Sequence, residues 1–169
     1  MGFDYRPSNA GEVKNQGWEL SLFQRIIDGQ HFDWDVSSAF TLLSNEVVDI
    51  RNEKLVTPFP GGTFVTREGD AVNSFYGYEF QGVYATHEEA QEAGLLNDKG
   101  MAFGAGDAIY RDVSGPDDQP DGIINDYDKV NLGSPIPEYF GSVMNTFQYK
   151  RWRLDVKVYF ALGQEVFNY

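Results

Sequence analysis

The stretch Phe32-Asp33-Trp34-Asp35-Val36-Ser37-Ser38-Ala39-Phe40-Thr41-Leu42 decides the fold. In an extended chain Phe32, Trp34, Val36, Ser38, Phe40 and Leu42 share one face, opposite Asp33, Asp35, Ser37, Ala39 and Thr41. Period-two alternation means a strand, since a helix would repeat its apolar positions every three to four residues. Upstream, Trp18, Leu20 and Leu22 alternate with Glu19, Ser21 and Phe23, and Asp28-Gly29 carries a hairpin turn signal. We therefore expect one strand over about 12–26 and its return over about 31–50. The end of the chain repeats the design. Tyr139 to Tyr149 reads as a strand and Lys150-Arg151 as a turn. Leu154, Val156, Val158, Phe160 and Leu162 then alternate with Asp155, Lys157, Tyr159 and Ala161. Gly163 weakens this strand ahead of Phe167 and Tyr169.

Four strands of this kind, each about ten residues or longer, exceed the usual five or six. One face of each is apolar and the other mostly polar. Aromatic residues gather near their ends: Trp18, Phe32 and Trp34, then Phe147, Tyr149 and Trp152. These are the marks of transmembrane β-barrel strands, which need about 9–11 residues to cross a bilayer. A soluble β-sandwich alternates in the same way, and strand length favours the barrel. Four strands fall short of the smallest barrels, of about eight, so the sequence reads as a fragment.

Composition narrows the choices. A net charge of −13 argues against nucleic acid. The absence of cysteine rules out a disulfide framework or a thiolate site. The start, Met1 to Pro7, lacks the apolar run of a signal peptide, and no stretch reaches the 18 apolar residues of a membrane helix. Aromatics at 15% with 18 glycines suit strands and turns.

The middle of the chain is irregular. Residues 1–11 are polar and turn-rich, and residues 51–74 lose periodicity; Pro58-Phe59-Pro60-Gly61-Gly62 cannot hold a central strand. Phe75 to Tyr84 is a strand candidate with Tyr76, Tyr78, Phe80 and Tyr84 on one side. The one good helix follows: Thr86 is its N-cap, Glu89 the capping-box partner, and Gly94 its end. Asp107 to Tyr110 suits a short strand, and Gly133-Ser134-Pro135-Ile136-Pro137 breaks the chain again.

Asp112 to Gly133 (DVSGPDDQPDGIINDYDKVNLG) is the candidate site, with six aspartates between Asp112 and Asp128. Its second half has the grammar of a calcium loop, which needs several oxygens and a glycine that turns the chain between them. With Asp121 as loop position 5, Gly122 falls at 6, the Ile123 carbonyl at 7, Asn125 at 9 and Asp128 at 12. Ile124 then points into a small core. Asp112 and Ser114 suit positions 1 and 3, although Pro116 to Pro120 intervene. A bound structural Ca²⁺ is one reading, and a solvated acidic turn is the other.

No catalytic residue is assigned. Asp117 and Asp121 could pair as glycosidase carboxylates, but acidic clusters in turns are far more often solvated or cation-bound. His31 and His87 are isolated, and no nucleophile–base or phosphate-loop pattern occurs. Tyr76 and Tyr78 could stack on sugar rings; packing within the insert is the plainer reading.

Six blocks, in order, resemble the C-terminal region of the SusC/RagA family of TonB-linked outer-membrane transporters. They are Asn9-Ala10-Gly11-Glu12-Val13-Lys14-Asn15-Gln16-Gly17-Trp18-Glu19-Leu20, Gly69 to Tyr78 followed by Gly82-Val83-Tyr84, Gly106-Asp107-Ala108-Ile109-Tyr110-Arg111-Asp112, Asp121 to Asp128, Leu132 to Tyr139, and Gly163-Gln164-Glu165-Val166-Phe167-Asn168. The departures are the five-residue insertion after Gly115, and Ser114 where the family usually has Asn. The resemblance implies an all-β chain: antiparallel strands of a transmembrane β-barrel fragment, with a long extracellular insert containing one short helix. It implies a barrel hairpin over 1–50, the insert over 51–138 and a second hairpin over 139–169, with Asp28-Gly29 and Lys150-Arg151 as periplasmic turns. It further implies the Gram-negative outer membrane, a SusD-like surface lipoprotein as partner, the TonB system acting through a plug and TonB box absent here, and import of oligosaccharides or peptides. The alternative is a soluble, calcium-stabilised β module for surface binding or adhesion.

Overall fold

A computed structural model describes residues 11–168. The turn-rich reading of residues 1–10, the first residues of the Asn9 block and Tyr169 lie outside them. The chain forms two compact units. Among the described residues one takes in 11–55, Thr66–Asn73 and 134–168; the other takes in Val56–Val65 and Ser74–Gly133.

The first unit is an antiparallel sheet of four long strands: β1 (Gly11–Asp28), β2 (Phe32–Ile50), β11 (Tyr139–Tyr149) and β12 (Trp152–Leu162), in the order β1-β2-β11-β12. The alternation expected from sequence holds strand by strand, and the register makes it two-dimensional. Trp18 lies beside Leu42, Leu42 beside Tyr139, and Tyr139 beside Leu162. At the turn end Phe32 lies beside Tyr149, and Tyr149 beside Trp152. Between these rows the apolar positions of all four strands fall on one face. That face is open: Trp18 is 77% exposed and Trp152 80%. Ten residue steps along β11 cover about 33 Å, or about 23–27 Å of height at the tilt of membrane barrels, close to their apolar band of about 25 Å.

The opposite face is mixed, with Phe23, Phe140 and Tyr159 standing among polar residues, and it pairs several of its charges. Arg25, Asp35, Thr146 and Asp155 stand side by side across the four strands. The Arg25 guanidinium donates to Asp35 at 2.9 Å, and the Thr146 hydroxyl to Asp155 at 2.7 Å. Arg153 donates to the same Asp155 carboxylate at 3.0 Å. On the apolar face the Trp34 indole donates to Asn145 at 3.1 Å, which satisfies an amide among apolar neighbours.

The upper part of β2 runs past β11, which accompanies it only from Phe32 to Leu42. There the segment Thr66–Asn73 lies against it. Val47 N donates to the Asp70 carbonyl, Gly69 N to the Val47 carbonyl, and Val72 N to the Asn45 side chain. Val47 is 2% exposed beneath this strap.

A second, small sheet has the order β10-β5-β4-β3, from β3 (Lys54–Phe59), β4 (Gly62–Arg67), β5 (Ser74–Tyr78) and β10 (Lys129–Asn131). The structure corrects the sequence reading here: residues 51–74 hold two strands. Pro58 is tolerated because β3 is the edge of its sheet, where a missing N–H breaks no ladder. The single strand expected over Phe75–Tyr84 divides at Glu79 into β5 and β6 (Phe80–Val83), and β6 pairs with β8 (Ala108–Tyr110). The helix α1 (His87–Ala93) begins and ends as read: the Thr86 hydroxyl accepts from Glu89 N, and Gly94 is its left-handed cap. The Glu89 carboxylate reaches back to Ala85 N at 2.7 Å, one residue short of the N-cap amide. β7 (Leu96–Asn97) and β9 (Ile123–Ile124) form a short parallel pair. The unit's core holds Val65, Tyr84, Ala90 and Ile124, with Ser74 and Asp128 the buried polar members.

Candidate functional site

The acidic loop turns on Asp128, whose side chain is fully buried. One carboxylate oxygen accepts Val113 N at 2.8 Å and Ser114 N at 3.2 Å; the other accepts Asn125 N at 2.8 Å. Asn125 caps the single 3-10 turn Asp126–Asp128, its side-chain oxygen accepting Tyr127 N at 2.9 Å. The Asn125 amide group donates to the Ile123 carbonyl at 3.1 Å. The Asp128 carboxylate therefore ties the two ends of the loop, while the Asn125 carboxamide fixes the turn on its own side.

The other expected ligands serve the same purpose. Asp112 accepts Gly122 N at 2.7 Å, and Asp121 accepts Ile123 N at 2.9 Å. Gly122 has φ near +80°, the turn its place in the loop required. Ile124 is 6% exposed, pointing inward as its position implied. Gly115 lies against Asp121; a Cβ there would stand 2.5 Å from the carboxylate. The Ser114 hydroxyl turns to the Gly115 carbonyl at 3.4 Å.

The oxygens spaced as cation ligands thus hold the loop's own backbone. One is left over: the second carboxylate oxygen of Asp112 is buried and has no hydrogen-bond partner. A hard cation suits such an orphaned oxygen. Among the described residues, no three His, Asp or Glu side chains converge on one point. Any ion here would lean on Asp112 and on carbonyl or solvent oxygens.

Tyr76 and Tyr78 separate. Tyr76 is 9% exposed and belongs to the core. Tyr78 is half-buried, its ring 5.3 Å from that of Tyr110, with the Lys129 ammonium 5.5 Å from its centre. Burial raises the Tyr78 pKa above the usual phenol value. Lys129 is raised as well, chiefly by its 2.6 Å link to Asp126. This tyrosine–lysine–aspartate group escaped the sequence reading. The signal was the pairing of β5 with β10, which sets Lys129 beside Tyr78.

No family model matches the chain. Among curated proteins it is similar to TonB-dependent receptors of Formosa agariphila. Receptor P26 is 33% identical over 99% of this chain, and receptor P3 is 28% identical over the same share. Among solved structures it superposes on the RagAB peptide importer in its 'open-open' state, with a TM-score of 0.63 at 18% identity over 91% of the chain. The 'closed-closed' state gives 0.62 at the same identity over 92%. The match takes up 16–17% of the two receptors and 15–16% of the importer chain, so this chain spans about a sixth of their length.

Proposed function

We propose that this chain, similar over 99% of its length to TonB-dependent receptors and alike in fold to the RagAB importer, forms four neighbouring wall strands of a nutrient importer of the SusC/RagA kind, together with one of its long outer loops. The observation that carries this reading is the apolar face, continuous in register across β1, β2, β11 and β12 and left exposed. A water-soluble module would cover such a face, whereas a bilayer solvates it. The polar face, with its Arg25–Asp35 and Thr146–Asp155 links, then lines the interior. The relatives are receptors and an importer rather than enzymes.

Within this reading the unit containing the acidic loop is extracellular, and the turns at Gly29–His31 and Lys150–Arg151 are periplasmic, because outer-membrane barrels place short turns inside and long loops outside. A SusD-like lipoprotein is the proposed partner and an oligosaccharide or peptide the proposed cargo, with Tyr78 the ring available to stack on it. Calcium at Asp112 is part of the proposal, in a structural role.

One pair of substitutions tests the wall reading in the full-length receptor. Val158 is 56% exposed at mid-height on the apolar face, and Ser142 lies on the polar face. In a membrane, Val158→Arg should cost about 2–4 kcal/mol of folding free energy and Ser142→Arg far less. An exposed valine in water would tolerate arginine within about 0.5 kcal/mol. Equal, small effects of the two changes in refolding titrations would sink the wall reading and favour a soluble, calcium-stabilised module.

A further inference from the structure

We propose that the turn end of the long sheet carries a binding site for the phosphate of an anionic glycerophospholipid, formed by Lys150 and Arg151 beside Tyr149 and Trp152. The inference rests on the reading of the apolar face as lipid-facing, and it adds a ligand to that face.

The last apolar row before the turn is aromatic on three strands: Phe32, Tyr149 and Trp152 lie side by side. Tyr149 is 50% exposed and Trp152 80%, so both rings are open to whatever covers this face. Aromatic side chains with a polar edge settle at the boundary between acyl chains and headgroups. One residue beyond, the two-residue turn presents two cations. The turn itself holds no carboxylate, in a chain of net charge −13.

Both cations are available. Among the described residues neither Lys150 nor Arg151 has a carboxylate within ion-pair distance, whereas neighbouring Arg153 is held by Asp155 and Arg25 by Asp35. The carboxylates at this end are engaged too, Asp28 by Arg25 and Asp33 by Gly29 N. The Lys150 ammonium sits 5.3 Å from the centre of the Tyr149 ring, which points it toward the aromatic row. Lys150 N donates to the His31 carbonyl at 3.1 Å, so the turn is fixed against the neighbouring one. A guanidinium that can grip two phosphate oxygens, an ammonium and a ring plane at the headgroup level together select a phosphate ester with negative net charge over a zwitterion.

The test uses the full-length receptor in detergent, exchanged into micelles with equal phosphatidylglycerol and phosphatidylcholine. Retained lipids are counted by native mass spectrometry, with and without excess inorganic phosphate. Native protein should retain phosphatidylglycerol several-fold over phosphatidylcholine, and inorganic phosphate should leave that ratio unchanged. The double substitution Lys150→Asn with Arg151→Gln should bring the ratio close to one; asparagine suits the left-handed backbone at Lys150, where φ is +52°. Lys157→Gln, which removes a cation from the polar face, should leave the ratio intact. A ratio unchanged in the double variant overturns the site, as does equal retention of both lipids by native protein or displacement of the lipid by inorganic phosphate. A receptor that stays dispersed without detergent and retains neither lipid overturns the lipid-facing reading itself.

Discussion

Asp128 shows how one carboxylate can organise a loop. A charge-assisted hydrogen bond contributes about 1.5–3 kcal/mol, and Asp128, itself fully buried, makes three to backbone amides. Asp128→Asn turns an amide donor toward other donors and should lower the stability of this unit by about 3 kcal/mol or more. Asp117→Asn, at an exposed position, should change it by less than about 0.5 kcal/mol. Thermal melts with millimolar calcium and with chelator measure both effects and the ion's contribution. Asp112→Ala should abolish any calcium-dependent rise, while Asp128→Asn should melt early in either condition. No calcium shift in native protein would remove the ion from the proposal. Asp128 stood out in the sequence because a cation and a set of amides ask for the same thing, a carboxylate at a fixed distance after a turning glycine. Spacing alone cannot distinguish them. The choice depends on which donors the folded loop brings within reach, and Val113 lies fifteen residues away.

Among the elements, β11 joins the two hairpins, and Gly141 is its tightest point. The glycine lies between Phe40 and Phe160 in register. A Cβ there would stand 2.3 Å from the Ala39 carbonyl oxygen and 2.8 Å from the Phe160 ring. The ring covers the bare backbone, as aromatic neighbours of strand glycines do. Gly141→Ala must push the backbone of β2 aside and should cost about 1–3 kcal/mol. Urea unfolding of the protein would show it as an earlier midpoint; an unchanged midpoint would mean the strands separate freely here. The long strands were legible because their alternation is local and unbroken. The ends of α1 were legible because Thr86, Glu89 and Gly94 act within a few residues of one another. β3 and β4 were not, since Pro58 forbids a central strand and only the sheet order reveals an edge.

At the scale of the whole molecule the four-stranded sheet is open. Among the described residues β1 and β12 are its outer strands, each with one unpaired edge, and four strands do not close a barrel. The receptors it is similar to are longer, and this chain spans about a sixth of them. The 169-residue chain expressed by itself should therefore need detergent and should aggregate without it, as followed by light scattering and size exclusion. A cooperatively melting monomer in plain buffer would contradict this. The sequence by itself determined the long strands, their two-sidedness, the helix caps and the position of the acidic loop, because each follows from residues close together along the chain. Only the tertiary structure decided that the apolar faces of four strands merge into one open surface, that Pro58 sits at an edge, that Lys129 meets Tyr78, and that Asp112, Asp121, Asn125 and Asp128 each accept a backbone amide. Those outcomes depend on which distant segments pair and in what register, and local alternation is the same for many pairings.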